Sequence, residues 1–128
     1  MHKSRLGVLV IDCRTDDLTE AAHFWSQALG YGLGKLDADG KYWALESPAD
    51  QIKVLLQKVE HEPRVHLDIE TDDRAAEVER LKALGATSVG EVKRWHVLQA
   101  PSGHRFCVVN PQRGDLEERG NPWPPMLT

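Results

Sequence analysis

The chain contains two copies of one sequence pattern, and this repeat constrains its fold more than any other feature. Residues 10–17 read VIDCRTDD, and residues 66–73 read HLDIETDD 56 positions later. Each copy continues through a helix-like stretch to the same ending, Ala-Leu-Gly, at residues 28–30 and 83–85. A repeat of this length indicates a duplicated supersecondary unit. Two copies in 128 residues therefore predict one domain with pseudo-twofold symmetry.

The length and composition are those of an ordinary globular protein. At 14.4 kDa the chain suits a single domain with a hydrophobic core. Its formal net charge of -4 gives no reason to expect nucleic acid, which favours basic surfaces. No apolar run approaches the roughly 20 residues that cross a bilayer, and the first residues lack the apolar region of a signal peptide. We therefore expect a cytoplasmic protein with neither nucleic-acid nor membrane partners.

The first copy of the pattern predicts a β-α-β-β-β unit. Residues 6–13 are apolar and rich in β-branched side chains, which is typical of a buried strand. Asp17 and Glu20 resemble a capping box at the start of a helix. Apolar residues, Trp25 among them, recur at helical spacing until Gly30 ends this helix. Three strands follow, at residues 33–36, 41–46 and 52–57, with turn residues between them.

The second copy predicts the same order of elements. Residues 65–70 predict a strand, and a helix is expected from Asp73 to Gly85. Its three further strands are expected at residues 87–92, 94–99 and 105–109. The whole chain, residues 1–128, is thus one domain with module 1 at about 5–60, module 2 at about 63–110 and an extended, proline-rich tail at 111–128. Trp123 and Met126 are the side chains that could dock this tail.

Three motifs, in order and at repeat spacing, resemble the vicinal-oxygen-chelate superfamily, which includes glyoxalase I, extradiol dioxygenases and bleomycin-resistance proteins. The motifs are residues 11–13 with 24–25 and 28–31, residues 64–69 with 72–73, and residues 101–107. The resemblance covers about residues 5–110 and is to glyoxalase-like, bleomycin-resistance-like proteins. It implies an α+β fold, in which two βαβββ modules form a curved, open β-barrel-like cleft with helices outside. It also implies a homodimer.

The resemblance further implies four metal-ligand positions, on the first and the last strand of each module. In this chain they fall on Val10 (or Val8 if the alignment is gapped), Gln57, His66 and Cys107. Valine cannot bind a metal, so one ligand is lost. Gln57 and His66 are neutral and suit Mg²⁺ or Mn²⁺ poorly, and a Cys-His pair falls short of a zinc site. We therefore predict no cofactor and no metal; if a divalent metal binds, Gln57 and His66 hold it.

The expected ligand-binding residues combine aromatic and polar side chains. Trp43 and Trp95 occupy equivalent strands of the two modules, where they could stack on a planar ligand. Equally, they could pack the core or a dimer interface. His66 and Asp68 alternate with apolar neighbours and so share one side of their strand. The full predicted set is Trp43, Gln57, His66, Asp68, Trp95 and Cys107. Cys13 and Cys107 lie in apolar runs and are expected to be buried free thiols.

These features predict two functions from different classes. The first is a metal-free, small-molecule-binding protein with a degenerate metal site, which sequesters a drug or a metabolite. The alternative is a divalent-metal-dependent lyase, isomerase or dioxygenase of the glyoxalase or extradiol type. No Ser-His-Asp order, phosphate loop or dinucleotide fingerprint is found. Catalytic residues stay unassigned, and general acid or base roles stay open for Asp12, His66, Asp68 and Glu70.

Overall fold

The protein alternates strands and helices in the order that the sequence predicts. The computed structural model describes residues 1–125. In chain order the elements are β1 (His2–Arg14), α1 (Thr19–Leu29), β2 (Gly32–Leu36), β3 (Tyr42–Glu46), β4 (Lys53–Val59), β5 (Arg64–Thr71), α2 (Arg74–Ala83), β6 (Thr87–Val92), β7 (Trp95–Gln99), β8 (Arg105–Val109), α3 (Leu116–Arg119) and β9 (Asn121–Trp123). The chain divides into two compact units: the first unit is Val8–His66, and the second unit joins Met1–Gly7 to Leu67–Thr128.

In the first unit, a four-stranded sheet carries α1 on one face. The strand order is β2-β3-β4-β1, with β1 parallel to β4 and the other neighbours antiparallel. Leu18 and Ala22 bury the apolar side of α1 against Leu56 of β4, and Trp25 packs beside them. Trp25 thus lies on the apolar side of α1, as its helical spacing predicts.

The two faces of β1 differ in what they contact. Ile11 and Cys13 pack against the core beneath α1, so alternation along the strand places Val10 and Asp12 on the opposite face. Asp12 pairs in register with Gln57 of β4. Asp12 and Gln57 thus lie on the sheet face away from α1. Cys13 is a free thiol, and burial raises its pKa.

The start of α1 differs from the predicted capping box. The helix begins at Thr19 and its N-cap is Leu18, which has no side-chain capping bond. Glu20 is therefore the second helical residue, one position too early for a capping box. The Asp17 carboxylate still accepts a hydrogen bond from the Thr19 backbone N–H at 2.9 Å. Gly30 ends the helix in the left-handed conformation, as predicted.

In the second unit, the strand order is β5-β8-β7-β6. Asp73 is the N-cap of α2, and its carboxylate accepts a hydrogen bond from the Ala76 backbone N–H at 3.0 Å. This confirms the predicted start of the helix. The helix packs on the sheet through a buried cluster of Val78, Leu81, Leu98 and Val108.

The tail of the chain folds back onto the second unit. It contains the short helix α3, which differs from the extended segment that the sequence predicts, and the strand β9, which pairs antiparallel with His2–Ser4 of β1. The Trp123 indole N–H donates to the Ser4 hydroxyl at 2.8 Å, and the Arg80 guanidinium lies 3.9 Å from the centre of the Trp123 ring. Met126, the other expected docking residue, lies outside the described residues.

These elements confirm the predicted α+β class and the β-α-β-β-β order of each module. The predicted strand ends differ from the observed ends by a few residues, most at the start of β1. Within residues 1–125, none of the helices has the length and apolar character needed to span a membrane.

Candidate functional site

A buried aspartate holds a histidine on the sheet face of the first unit that lies away from α1. Asp12, near the end of β1, is only 3% exposed. Its Oδ2 lies 3.0 Å from Nδ1 of His66, in β5. Because a carboxylate only accepts hydrogen bonds, the His66 ring donates its Nδ1–H to this oxygen. Asp12 therefore fixes the orientation of His66.

The two carboxylate oxygens of Asp12 have different surroundings. Oδ2 also lies 3.8 Å from the side-chain nitrogens of His61 and Arg64. Oδ1 is buried and has no hydrogen-bond donor among residues 1–125. A buried acceptor without a donor costs about 1–3 kcal/mol. A ligand N–H or O–H group that displaces the neighbouring side chains would recover this cost by donating to Oδ1.

Gln57 and Tyr42 extend the polar face beside Asp12. Gln57 pairs in register with Asp12 on one side and with Tyr42 of β3 on the other. Its amide nitrogen lies 3.3 Å from the Tyr42 hydroxyl, to which it donates. The predicted binding residues Gln57 and His66 thus both neighbour Asp12, the first through the strand register and the second through a side-chain hydrogen bond.

An open groove of about 1050 Å³ continues this face beyond the ends of β1 and β4. Gln57 is one of its lining residues. Its charged lining combines Arg14, Lys41 and Lys58 with Asp16, Asp39 and Glu60. The volume is comparable to that of known ligand sites, but the lining is more charged than in most of them. This groove therefore suits a polar or charged molecule better than an apolar one.

The two predicted stacking residues have different surroundings. Trp43 packs against both buried clusters of the first unit, and its indole N–H donates to the Leu33 carbonyl at 2.6 Å. These contacts favour the packing role for Trp43 that the sequence leaves open. Trp95 is half-buried at the start of β7, on the same strand face as Val97, which pairs with Cys107.

The family of this chain is shown by a family model that matches most of the sequence. The model of the glyoxalase-like domain matches residues 8–109. The chain belongs to this glyoxalase-like family. The resemblance that the three sequence motifs indicate is therefore confirmed. No curated protein matches the sequence.

Solved structures of the superfamily share the fold of this glyoxalase-like protein. A glyoxalase/bleomycin resistance protein/dioxygenase superfamily member from Vibrio splendidus 12B01 is 18% identical, with 84% of this chain and 99% of that chain covered and a TM-score of 0.51. Methylmalonyl-CoA epimerase from Mycobacterium tuberculosis is 17% identical, with 84% of this chain and 87% of that chain covered and a TM-score of 0.56. The 2,3-dioxygenase LapB from Pseudomonas sp. KL28 is 20% identical, with 94% of this chain and 46% of that chain covered and a TM-score of 0.54. Such a likeness shows the fold, and a fold does not decide the function.

Many members of the superfamily use a divalent metal, and β5 and β8 carry side chains that fit a metal as ligands. Asp68 and Cys107 pair in register, and their ligand atoms lie within 4.8 Å of each other. His66, two positions before Asp68 in β5, adds an imidazole to this carboxylate and thiol. A mixed nitrogen, oxygen and sulfur set suits Zn²⁺ better than Mg²⁺. The sequence assigned any metal to Gln57 and His66. The structure brings His66 together with Cys107, another of the four metal-ligand positions, and with Asp68, which the sequence predicted only as a ligand-binding residue.

Asp12 is the site residue whose role the sequence did not predict. The repeat aligns Val10 with His66, and this drew attention to the lost ligand rather than to Asp12 two positions later. The alternation of side chains along β1 could have indicated this role. Val8, Val10 and Asp12 share one strand face, and Asp12 is the acidic residue on it. A lone carboxylate on a buried strand face requires a partner, because a buried charge without one is costly.

Proposed function

We propose that this glyoxalase-like protein binds a small polar molecule on the sheet face of its first unit that lies away from α1, and sequesters it. The observation that supports the proposal most directly is Asp12. Its Oδ2 holds His66, and its buried Oδ1 has no donor among the described residues. A ligand that donates to Oδ1 would complete the hydrogen bonding of this carboxylate. The ligand is a drug or a metabolite with an N–H or O–H group.

The neighbouring residues support the same kind of ligand. The Gln57 side chain can both donate and accept hydrogen bonds, so it can orient a polar ligand beside Asp12. The groove that Gln57 lines is large enough to take further polar groups of the ligand. Together these residues would orient the ligand by hydrogen bonds.

Binding of small N–H and O–H donors to the Asp12→Ala variant tests this proposal. A set of planar phenols, amides and amines, including catechol and salicylamide, would be titrated against tryptophan fluorescence. Because a hydrogen bond to a charged group contributes about 1.5–3 kcal/mol, we expect a loss of affinity of about tenfold or more in Asp12→Ala. Asp50→Ala, which removes an exposed carboxylate outside the groove, should bind like the wild type. Equal binding by Asp12→Ala and wild type, or no binding from the whole set, would contradict the proposal.

The second candidate is a divalent-metal-dependent lyase, isomerase or dioxygenase, which the donor set on β5 and β8 favours. His66, Asp68 and Cys107 would hold the metal. When bound, the metal would act as a Lewis acid on adjacent oxygen atoms of the substrate. In that case Asp12 is a positioning residue that orients the imidazole of His66.

Metal analysis of protein purified without a histidine tag separates the two candidates. The binding proposal expects metal well below one ion per chain, and no change in thermal stability with Zn²⁺, Mn²⁺, Fe²⁺ or Ni²⁺. The enzyme alternative expects one ion per chain, lost in His66→Ala and Cys107→Ser but kept in Cys13→Ser, because Cys13 packs in the core. Stoichiometric metal of this kind would overturn the metal-free binding role.

We further propose that the protein is a cytoplasmic homodimer, an arrangement that rests on the superfamily resemblance. Light scattering coupled to size-exclusion chromatography should give about twice the chain mass of 14.4 kDa. A mass equal to one chain at micromolar concentration would contradict the dimer. Cell fractionation tests the location.

A further inference from the structure

Three side chains at the edge of the second unit form a serine-histidine-glutamate cluster. The Ser88 hydroxyl lies 2.7 Å from Nε2 of His96, and Nδ1 of His96 lies 3.8 Å from a carboxylate oxygen of Glu91. Ser88 and Glu91 belong to β6, and His96 belongs to the neighbouring strand β7. The order of contacts is that of a nucleophile, a base and a group that orients the base.

A bulge in β6 brings the three side chains to one face. In a regular strand, residues three apart such as Ser88 and Glu91 point to opposite faces. Here Ser88 pairs with Leu98 and Glu91 pairs with His96, with a register shift between Ser88 and Gly90. Because Leu98 and His96 are two apart, their partners share one face. The bulge therefore creates the cluster, a local irregularity of the kind found next to active sites.

The cluster lies on the opposite sheet face from Asp68 and Cys107. His96 pairs in register with Val108, which packs in the core beneath α2. Asp68 pairs with Cys107. Because Cys107 directly precedes Val108 in β8, the two side chains lie on opposite faces of the sheet. The cluster is therefore separate from the candidate metal ligands on β5 and β8, and no role in the proposed function requires it.

We propose that Ser88 is a nucleophile that small activated esters acylate. The Ser88 oxygen attacks the ester carbonyl carbon while its proton passes to Nε2 of His96. The carbon–oxygen bond of the ester then breaks, and the alcohol or phenol leaves with that proton. A water molecule then gives a proton to Nε2 of His96 and attacks the acyl carbon; the bond to the Ser88 oxygen breaks, the carboxylic acid leaves, and His96 returns the proton to Ser88.

The exposure of His96 and Glu91 sets the expected rate. The side chain of His96 is 17% exposed, which keeps the base partly ordered, whereas that of Glu91 is 71% exposed. A charge so open to solvent orients the imidazole weakly. We therefore expect acylation to be measurable and turnover to be slow, so that the acyl-serine accumulates.

The test uses p-nitrophenyl acetate and peptide mapping of the acetylated protein. We expect a burst of p-nitrophenolate and an acetyl group on Ser88, both lost in Ser88→Ala. His96→Asn should slow acylation about 10²-fold, because a general base contributes about 10²–10⁴-fold. In Glu91→Gln we expect a smaller decrease. Ser102→Ala is the matched control, since the Ser102 hydroxyl contacts Nδ1 of His104 at 2.8 Å in an exposed turn.

The outcomes decide between a nucleophile and a structural hydrogen bond. Absence of acetyl-Ser88, or a label at Ser88 that His96→Asn does not reduce, would overturn the proposal. Equal labelling of Ser88 and Ser102 would also overturn it, because general exposure then explains the reaction. Circular dichroism of each variant checks that the β6–β7 hairpin still folds.

Discussion

At the scale of single residues, Glu77 shows how partners compensate for a buried charge. Glu77 of α2 is fully buried. It accepts hydrogen bonds at 2.8 Å from His2 and from two nitrogens of Arg80. Burial by itself raises the pKa of Glu77, but the hydrogen bonds from Arg80, His2 and Ser4 outweigh it and lower the pKa below the usual 4.5.

The lowered pKa of Glu77 predicts acid-sensitive stability. A carboxyl group with a lower pKa in the folded state stabilises the fold above its unfolded pKa, and this contribution is lost as the pH falls through the folded pKa. Glu77→Gln should therefore lower the free energy of unfolding by about 1–3 kcal/mol at pH 7, and the difference from wild type should shrink below about pH 4.5. Urea denaturation between pH 3 and pH 7 measures it.

Glu79→Gln is the control for this prediction. Glu79 is exposed, and its contact to Lys82 at 3.2 Å is a surface ion pair. Such pairs contribute about 0–1 kcal/mol, so this variant should stay close to wild type at every pH. A Glu77→Gln variant that loses stability equally at pH 3 and pH 7 would show that the carboxylate charge is not the cause.

At the scale of elements, one glycine determines whether β2 can approach β3. Gly34 has a φ of +66°, and a Cβ built on it would lie 1.8 Å from the Ala44 carbonyl oxygen. No side chain fits there without moving β2. The register of the two strands shifts at this point, between Gly32 and Lys35, so the glycine accommodates the irregularity.

Gly34→Ala should therefore destabilise the protein far more than Gly40→Ala. Gly40 also has a positive φ, of +71°, but nothing lies within 4 Å of an added Cβ. Gly40→Ala should therefore lower the free energy of unfolding only by the strain of the left-handed conformation, about 1–2 kcal/mol. For Gly34→Ala the backbone clash adds to that strain, and we expect a loss of more than about 3 kcal/mol. Similar midpoints for the two variants in thermal unfolding would contradict the close approach of β2 and β3.

The sequence predicts most elements, because their residues carry the signal locally. The bounds of β6 and β8 match the prediction, and Asp73 caps α2 as expected. The first residues of β1 were missed because His2 and Ser4 are polar, and only partners far along the chain make their burial favourable. Asp12 was missed as the partner of His66 for the same reason: the hydrogen bond joins residues 54 positions apart.

At the scale of the whole chain, the two ends that lie outside the family match bind each other. The glyoxalase-like model matches residues 8–109. Beyond those limits, β9 pairs with His2–Ser4, and Arg5 bonds to Asp115. The ends also close over Glu70, a fully buried carboxylate of β5. They therefore add a strand and a short helix to the second unit.

Glu70 shows how strongly the tail is tied to the second unit. One carboxylate oxygen accepts from Nε of Arg5 at 2.5 Å. The other accepts from the backbone N–H groups of Gln112 and Arg113 at 2.6 and 3.2 Å. Without the tail, this second oxygen would lose both donors while the carboxylate stays largely buried, which is costly.

Removal of residues 111–128 should therefore destabilise the chain strongly. The truncated protein loses two hydrogen bonds to Glu70 and the burial of Leu116, which is 4% exposed. We expect the free energy of unfolding to fall by at least about 4 kcal/mol. Leu116→Ala keeps the tail but removes its apolar anchor, and should cost about 2–3 kcal/mol. Urea denaturation measures both variants. A truncated chain with the midpoint of the wild type would show that the tail is not part of the folded core.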